Sequence, residues 1–165
     1  MRTIAIGFAI TFLAAAAVAQ TAASDQSVKT YSSSSDVASL QAKAKSERKG
    51  NAPIVTEKIL QLPPYNANLE YRAAVGPASI HEKEAEFFYV IDGSATMVTG
   101  GKLQNEKRTN AENLTGSGIE GGMSRKVAKG DFIVVPENTP HWFSSIDGSI
   151  TLMSLHAPRN SGGTH

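Results

Sequence analysis

Three side chains in this sequence have the types and spacing to do chemistry. His81 and Glu86 lie five residues apart within residues 76–93, GPASIHEKEAEFFYVIDG. His141 closes a second stretch, residues 130–141, GDFIVVPENTPH. Neutral imidazoles and a carboxylate are donors for a divalent transition metal. Each also has a plainer explanation. His81 can be a solvated edge histidine beside Glu82 and Glu84, His141 a packed core histidine between Pro140 and Trp142, and Glu86 a hairpin charge. Both stretches combine a β-rich apolar run with turn glycines or prolines, and the expectation is that they meet in space and hold a metal ion.

The elements that must position these residues read as β structure. From Pro53 onward, residues 54–60 form one strand, and Pro63-Pro64 breaks it, because proline cannot donate to a ladder. Residues 69–75 alternate as the next strand, and Gly76-Pro77 turns the chain. Residues 86–91 form a strong strand, Asp92-Gly93 reads as a hairpin turn, and residues 94–99 return as its partner. Residues 102–122 carry few large apolar side chains and four glycines, and are expected to be a long loop with at most one short strand. Within them Asn113-Leu114-Thr115 matches a glycosylation acceptor. Strands follow at 123–127, 132–135, 141–144 and 150–156, with Asp147-Gly148 as a second hairpin turn. About eight short strands with turn signals indicate a closed or double-sheet all-β domain. A helix over 37–49, capped by Ser35 or Asp36 and ended by Gly50, is expected at the periphery, since only Val37, Leu40 and Ala44 give it an apolar face.

The N-terminal end has export features. Arg2 precedes an uncharged apolar run over 4–18, and Ala17-Val18-Ala19 fits a signal-peptidase site with cleavage after Ala19. The organisation expected is a signal peptide over 1–19, a flexible leader and peripheral helix over 20–52, a barrel over 53–158 and a polar tail over 159–165. The mature protein is then periplasmic or secreted, with no membrane attachment after cleavage. The chain has no cysteine, which excludes zinc–thiolate sites and thiol nucleophiles. Its net charge is +1, and loss of Arg2 with the signal brings it to zero, so nucleic-acid binding has no support.

The two stretches together resemble the motifs of the cupin superfamily, a small jelly-roll β-barrel. The first cupin motif runs glycine, His-x-His, glutamate, glycine, and Gly76, Ser79, His81, Glu86 and Gly93 fall on it. The second runs glycine, Pro-x-Gly, histidine, asparagine, and Gly130, Pro136, Asn138, His141 and Ser145 fall on it. Two departures stand out: Ser79 replaces the first histidine and Ser145 the terminal asparagine. Asn138 in place of glycine is mild, since asparagine also enters the left-handed region. The resemblance implies a metal held by His81, Glu86 and His141, where the usual set has three histidines and one glutamate. Such a set suits Fe, Mn, Ni or Zn and leaves positions open for substrate or water. Ser79, two residues from His81 and on the same face of the strand, stands at the fourth position and is able to hold a metal-bound water.

Further residues are candidates for the cavity wall. Tyr71 and Arg72 alternate, so one of them faces inward, and an inward Arg72 would bind a carboxylate or enolate. Phe88 and Met97 fit either core or substrate contact. His156 and His165 lie outside both motifs and are assigned surface roles. The resemblance implies an exported metal-dependent enzyme acting on a small oxygen-rich molecule, a dioxygenase, lyase or isomerase. The alternatives are a non-catalytic binding module for a small ligand or metal, and a structural protein that forms a homodimer through its sheet edges.

Overall fold

The computed structural model describes residues 28–159. The expected signal peptide with its cut after Ala19, most of the polar tail and His165 lie outside these residues. Among the described residues one helix precedes eleven strands. The helix is α1 (Ser34–Glu47), and the strands begin with β1 (Ile54–Leu62), β2 (Tyr65–Arg72), β3 (Ala78–His81) and β4 (Glu84–Thr99). There follow β5 (Lys102–Gln104), β6 (Lys107–Arg108), β7 (Asn113–Gly116) and β8 (Gly118–Glu120), then β9 (Met123–Ala128), β10 (Phe132–Val135) and β11 (His141–Pro158). All pairings are antiparallel, with one face ordered β1-β2-β11-β3-β7-β6 and β4 pairing β9, β10 and β11. This is the all-β, double-sheet jelly roll with a peripheral helix that the sequence leads one to expect.

Two long strands organise the barrel, and here the structure corrects the sequence reading. Asp92-Gly93 and Asp147-Gly148 are not hairpin turns. β4 runs through Gly93 and β11 through Gly148, and the two strands pair along most of their length, from His141↔Thr99 to Pro158↔Glu84. Register shifts interrupt this ladder between Ile146 and Ile150, where Ile150 faces Gly93. Both glycines have positive φ, 80° and 74°. A glycine at positive φ serves a bulge as well as a hairpin turn, and a bulge bends a strand without reversing it. At Gly93 a Cβ would run into the Ser149 carbonyl oxygen and press on Ile150, so the bend depends on glycine.

Alternation along the strands then sorts the core. Glu86, Phe88 and Val90 point inward from β4 while Phe87 is exposed. Phe88, Val90, Met97, Phe143, Ile150 and Leu152 form the interior cluster. On β2, Leu69 and Tyr71 face outward against α1, where they meet Ala44 and Ile59, with Val37 and Leu40 packed on them. Glu70 and Arg72, one step out of phase, face the barrel cavity.

The end of the leader is held in place: Lys29 and Gln61 exchange backbone hydrogen bonds of 2.8 Å. Ser33, rather than Ser35 or Asp36, caps α1, and Asp36 completes a capping box by accepting from the Ser33 backbone N–H. The 102–122 stretch is more ordered than expected, with β5 and β8 forming a separate two-stranded sheet and β7 pairing β3.

Candidate metal centre

The site is assembled where β3, β4 and β11 converge. His81 ends β3, Glu86 lies near the start of β4, and His141 begins β11. The two sequence segments are tied directly to each other. The Asn138 backbone N–H donates to the His81 carbonyl at 2.7 Å, and Trp142 Nε1–H donates to the Gly76 carbonyl at 2.8 Å. Asn138 sits at φ 56°, the left-handed conformation that its place in the motif requires. Ser79 and His141 are register partners, which fixes β3 against the first residue of β11.

Around Glu86 stand three imidazoles, one more than the sequence reading supplied. His141 Nε2 is 3.0 Å and His81 Nε2 3.3 Å from Glu86 Oε2. His156 Nε2 is 3.4 Å from Glu86 Oε1. The surface role assigned to His156 is therefore wrong. Its Cα faces Glu86 across the β4–β11 ladder, and Leu152, Ser154 and His156 alternate onto the inner face of β11. The signal that could have found it is that period-two step, but the step places His156 beside Glu86 only once the register of β11 on β4 is known.

Each imidazole has its Nδ1 turned to an oxygen, which leaves Nε2 for the cavity. His81 Nδ1–H donates to Asn113 Oδ1 at 2.6 Å and His141 Nδ1–H to the Thr139 carbonyl at 3.2 Å. His156 Nδ1 lies 3.2 Å from Glu84 Oε2, paired in distance but not aligned as a hydrogen bond. Nδ1 anchored to oxygen with Nε2 free is the usual arrangement of metal-binding histidines. Asn113, part of the glycosylation-acceptor match, orients His81 through its Oδ1 and receives no signal from either motif. Of the two spare carboxylates next to His81, Glu84 approaches His156, whereas Glu82 is engaged by Arg108 at 2.7 Å.

The electrostatics follow from burial and from these contacts. Burial of Glu86, which is 3% exposed, raises its pKa, but hydrogen bonds from His141, His156 and His81 outweigh this and hold the carboxyl well below the usual range. Burial lowers the pKa of His81, yet its bonds to Glu86 and Asn113 leave it raised. The hydrogen bond to Glu86 raises that of His156 despite its burial. Without metal, a carboxylate is thus balanced by imidazolium character. Candidate donor atoms of His81, Glu86 and His156 lie within 4.8 Å of one another, and imidazole nitrogens with a carboxylate oxygen suit a divalent first-row ion. The residues present fit such an ion.

The remaining candidates separate. A cavity of about 250 Å³ is lined by Ser79, His81, Glu86, His141 and His156 together with Glu70 and Arg72. Arg72 is therefore the inward member of its pair, and Tyr71 is not a cavity residue. Glu70 Oε2 accepts from Arg72 Nε at 3.0 Å and Nη2 at 2.7 Å, and the guanidinium lies 5.0 Å above the Phe143 ring. Ser154 Oγ–H donates to Glu70 Oε1 at 2.7 Å. Phe88 and Met97 are core residues that do not line the cavity. Phe88 packs edge-on against Phe143 and comes within 6.4 Å of the His141 ring.

Comparison with known proteins agrees with this architecture. The Cupin family profile matches residues 54–162 of the chain. The chain belongs to the cupin family. Among solved structures, this cupin is similar to KdgF from Halomonas sp. at 19% identity and a TM-score of 0.49, over 69% of this chain and 86% of that one. It is also similar to HppE in its FeII form, at 17% identity and a TM-score of 0.47, over 63% of this chain and 50% of that one. The cupin domain of Schizosaccharomyces pombe Cnp3 matches at 11% identity and a TM-score of 0.48, over 69% of this chain and 71% of that one. At such TM-scores these likenesses carry no argument, and the family rests on the profile match. A sequence comparison with curated proteins returns no match.

Proposed function

We propose that this cupin binds a divalent transition metal, Fe, Mn, Ni or Zn, through His81, Glu86 and His141, and acts on a small oxygen-rich molecule as an exported enzyme. The observation that carries the reading is the buried Glu86 carboxylate flanked by imidazole Nε2 atoms whose Nδ1 sides are turned to oxygens. When bound, a divalent metal supplies Lewis acidity toward a chelating substrate oxygen. The chain's own residues supply orientation. Asn113 and the Thr139 carbonyl hold the two rings, and the cavity volume limits the substrate to a small molecule. Arg72 commits Nε and Nη2 to Glu70, so Nη1 is the donor it can offer to a substrate carboxylate or enolate oxygen. Ser79, a neutral hydroxyl on the cavity wall, serves to hold a water. The expected signal peptide with its cut after Ala19 supports a periplasmic or secreted location for the mature protein.

One observation favours a second reading, a non-catalytic carrier of a small ligand or metal. Glu70 and Arg72, the cavity's ionisable groups apart from the imidazole–Glu86 cluster, are paired with each other, so no separate general base stands ready. Metal analysis of the purified mature protein, after reconstitution with Fe, Mn, Ni and Zn in turn, should find close to one ion per chain, and His141→Ala should lose most of it. Protein that takes up none of the four would refute the metal site. Oxygen uptake and turnover of small hydroxy and keto acids by the loaded protein then separate enzyme from carrier.

A further inference from the structure

His156 was placed by neither sequence motif, yet it occupies the same cavity as the residues that were. Its Nε2 faces the one Glu86 oxygen, Oε1, that His81 and His141 leave free. Its ring centroid is 4.6 Å from that of His81, and candidate donor atoms of His81, Glu86 and His156 all lie within 4.8 Å of one another. With metal–nitrogen bonds of about 2.1 Å, donors on adjacent positions of one ion lie roughly 3 Å apart. His141 and His81 stand 3.0 and 3.3 Å from Glu86 Oε2 and His156 stands 3.4 Å from Oε1, each near that spacing, while the mutually close donor group is His81, Glu86 and His156. The backbone commits His156 to this place. It pairs in register with Glu86 on a ladder whose next inward steps, Ser154 beside Phe88 and Leu152 beside Val90, are fully buried. Because β11 is long and bent, His141 enters the site from its first residue and His156 from near its last. Ser79, by contrast, presents only a neutral hydroxyl, a poor direct ligand.

We propose that His156 is a direct ligand of the same ion, so that the site is a three-imidazole, one-carboxylate set whose third nitrogen comes from the last strand rather than from position 79. Glu84, whose Oε2 lies 3.2 Å from His156 Nδ1 without an aligned hydrogen bond, is the carboxylate placed to position that ring. This rests on the metal-binding reading above and reverses the expectation that His156 is dispensable. His141→Ala and His156→Ala should therefore both lose the metal.

The test uses Zn(II) affinity, measured by chelator competition, and Cu(II)-loaded wild-type protein, in which pulsed electron paramagnetic resonance counts coordinated imidazoles. Loss of an outer partner of a ligand typically costs about 10- to 100-fold in affinity, which is the weakening expected for Glu84→Gln. His156→Ala removes the ligand itself and should exceed about 100-fold, and the wild-type spectrum should show three imidazoles. Adding Ser79→His to His156→Ala should restore at least about 10-fold of the lost affinity, since it returns a nitrogen donor beside His81. If His156→Ala fails to fold by circular dichroism, His156→Gln and the imidazole count carry the test. Affinity within about 3-fold of wild type in a folded His156 variant, or a count of two imidazoles, overturns the proposal while leaving the metal site standing. Wild-type protein that binds neither Zn(II) nor Cu(II) overturns both readings.

Discussion

Replacing Glu86 by glutamine keeps the shape of the side chain and removes the charge at the centre of the cavity. In the metal-free protein three imidazoles approach that carboxylate, which is almost completely buried. A hydrogen bond to a charged group contributes about 1.5–3 kcal/mol, and stripping one partner from a buried pair costs about 3–5 kcal/mol. Glutamine retains one acceptor oxygen but turns an NH₂ toward at least one imidazole. The loss should therefore fall near the lower bound of the pair estimate, about 3 kcal/mol, or roughly 10 °C in Tm for a domain of this size.

The pH dependence has a definite sign. The folded-state pKa values of His81 and His156 are raised. Their stabilising contribution is fully present below the unfolded value of about 6.5 and is lost as pH rises through the raised folded values. Glu86 is lowered, so its contribution is present above the unfolded carboxyl value and is lost as pH falls toward the depressed folded value. The deficit of Glu86→Gln should thus be greatest near about pH 6 and shrink to about 1 kcal/mol or less near about pH 9. Urea unfolding of chelator-stripped wild type and variant, with slopes compared to verify a two-state transition, measures this directly. A deficit under about 1 kcal/mol at the lower pH, or one that does not change with pH, would refute the account of a carboxylate stabilised by imidazolium.

Two further substitutions test the frame around the site, again by urea unfolding. Phe88→Ala, at a position 1% exposed and stacked edge-on against Phe143, should cost about 3–5 kcal/mol, and a loss below about 2 would mean that the core can collapse around the deletion. Gly93→Ala places a Cβ at φ +80° against the Ser149 carbonyl and should cost about 2–4 kcal/mol, whereas Gly130→Ala, at positive φ in open space, should cost about 1 kcal/mol; equal effects would show that the bend of β4 against β11 does not depend on the missing side chain.

What could be read from the sequence is what depends on local pattern. Period-two alternation puts Ser79 with His81 on one face and separates Tyr71 from Arg72, because successive side chains on a strand point to opposite faces. The match to the second cupin motif implies the left-handed Asn138, and composition separates the peripheral helix from the β domain. The same local view fails where one residue type serves two purposes. Asp-Gly at 92–93 and 147–148 carries the signal of a hairpin turn, but a glycine at positive φ also suits a bulge, and here the ladder between β4 and β11 continues past both. The 102–122 stretch looked unstructured because its strands are short and poor in apolar residues, yet β7 is held by β3 and delivers Asn113 to His81.

The sequence by itself determined which residues can be donors and which share a face, since alternation and side-chain chemistry are properties of the chain alone. Together with the resemblance to the two cupin motifs, it was enough to bring His81, Glu86 and His141 into one candidate site. Only the tertiary structure decided that His156 belongs with them, that Arg72 is balanced by Glu70, and that Tyr71, Phe88 and Met97 are packing residues. These are matters of register and of which strand lies beside which. A one-residue shift of β11 on β4 would turn His156 out of the cavity, and no feature near residue 156 encodes that register. It is set by the bends at Gly93 and Gly148 and by the core that Phe88, Leu152 and Val90 build between them.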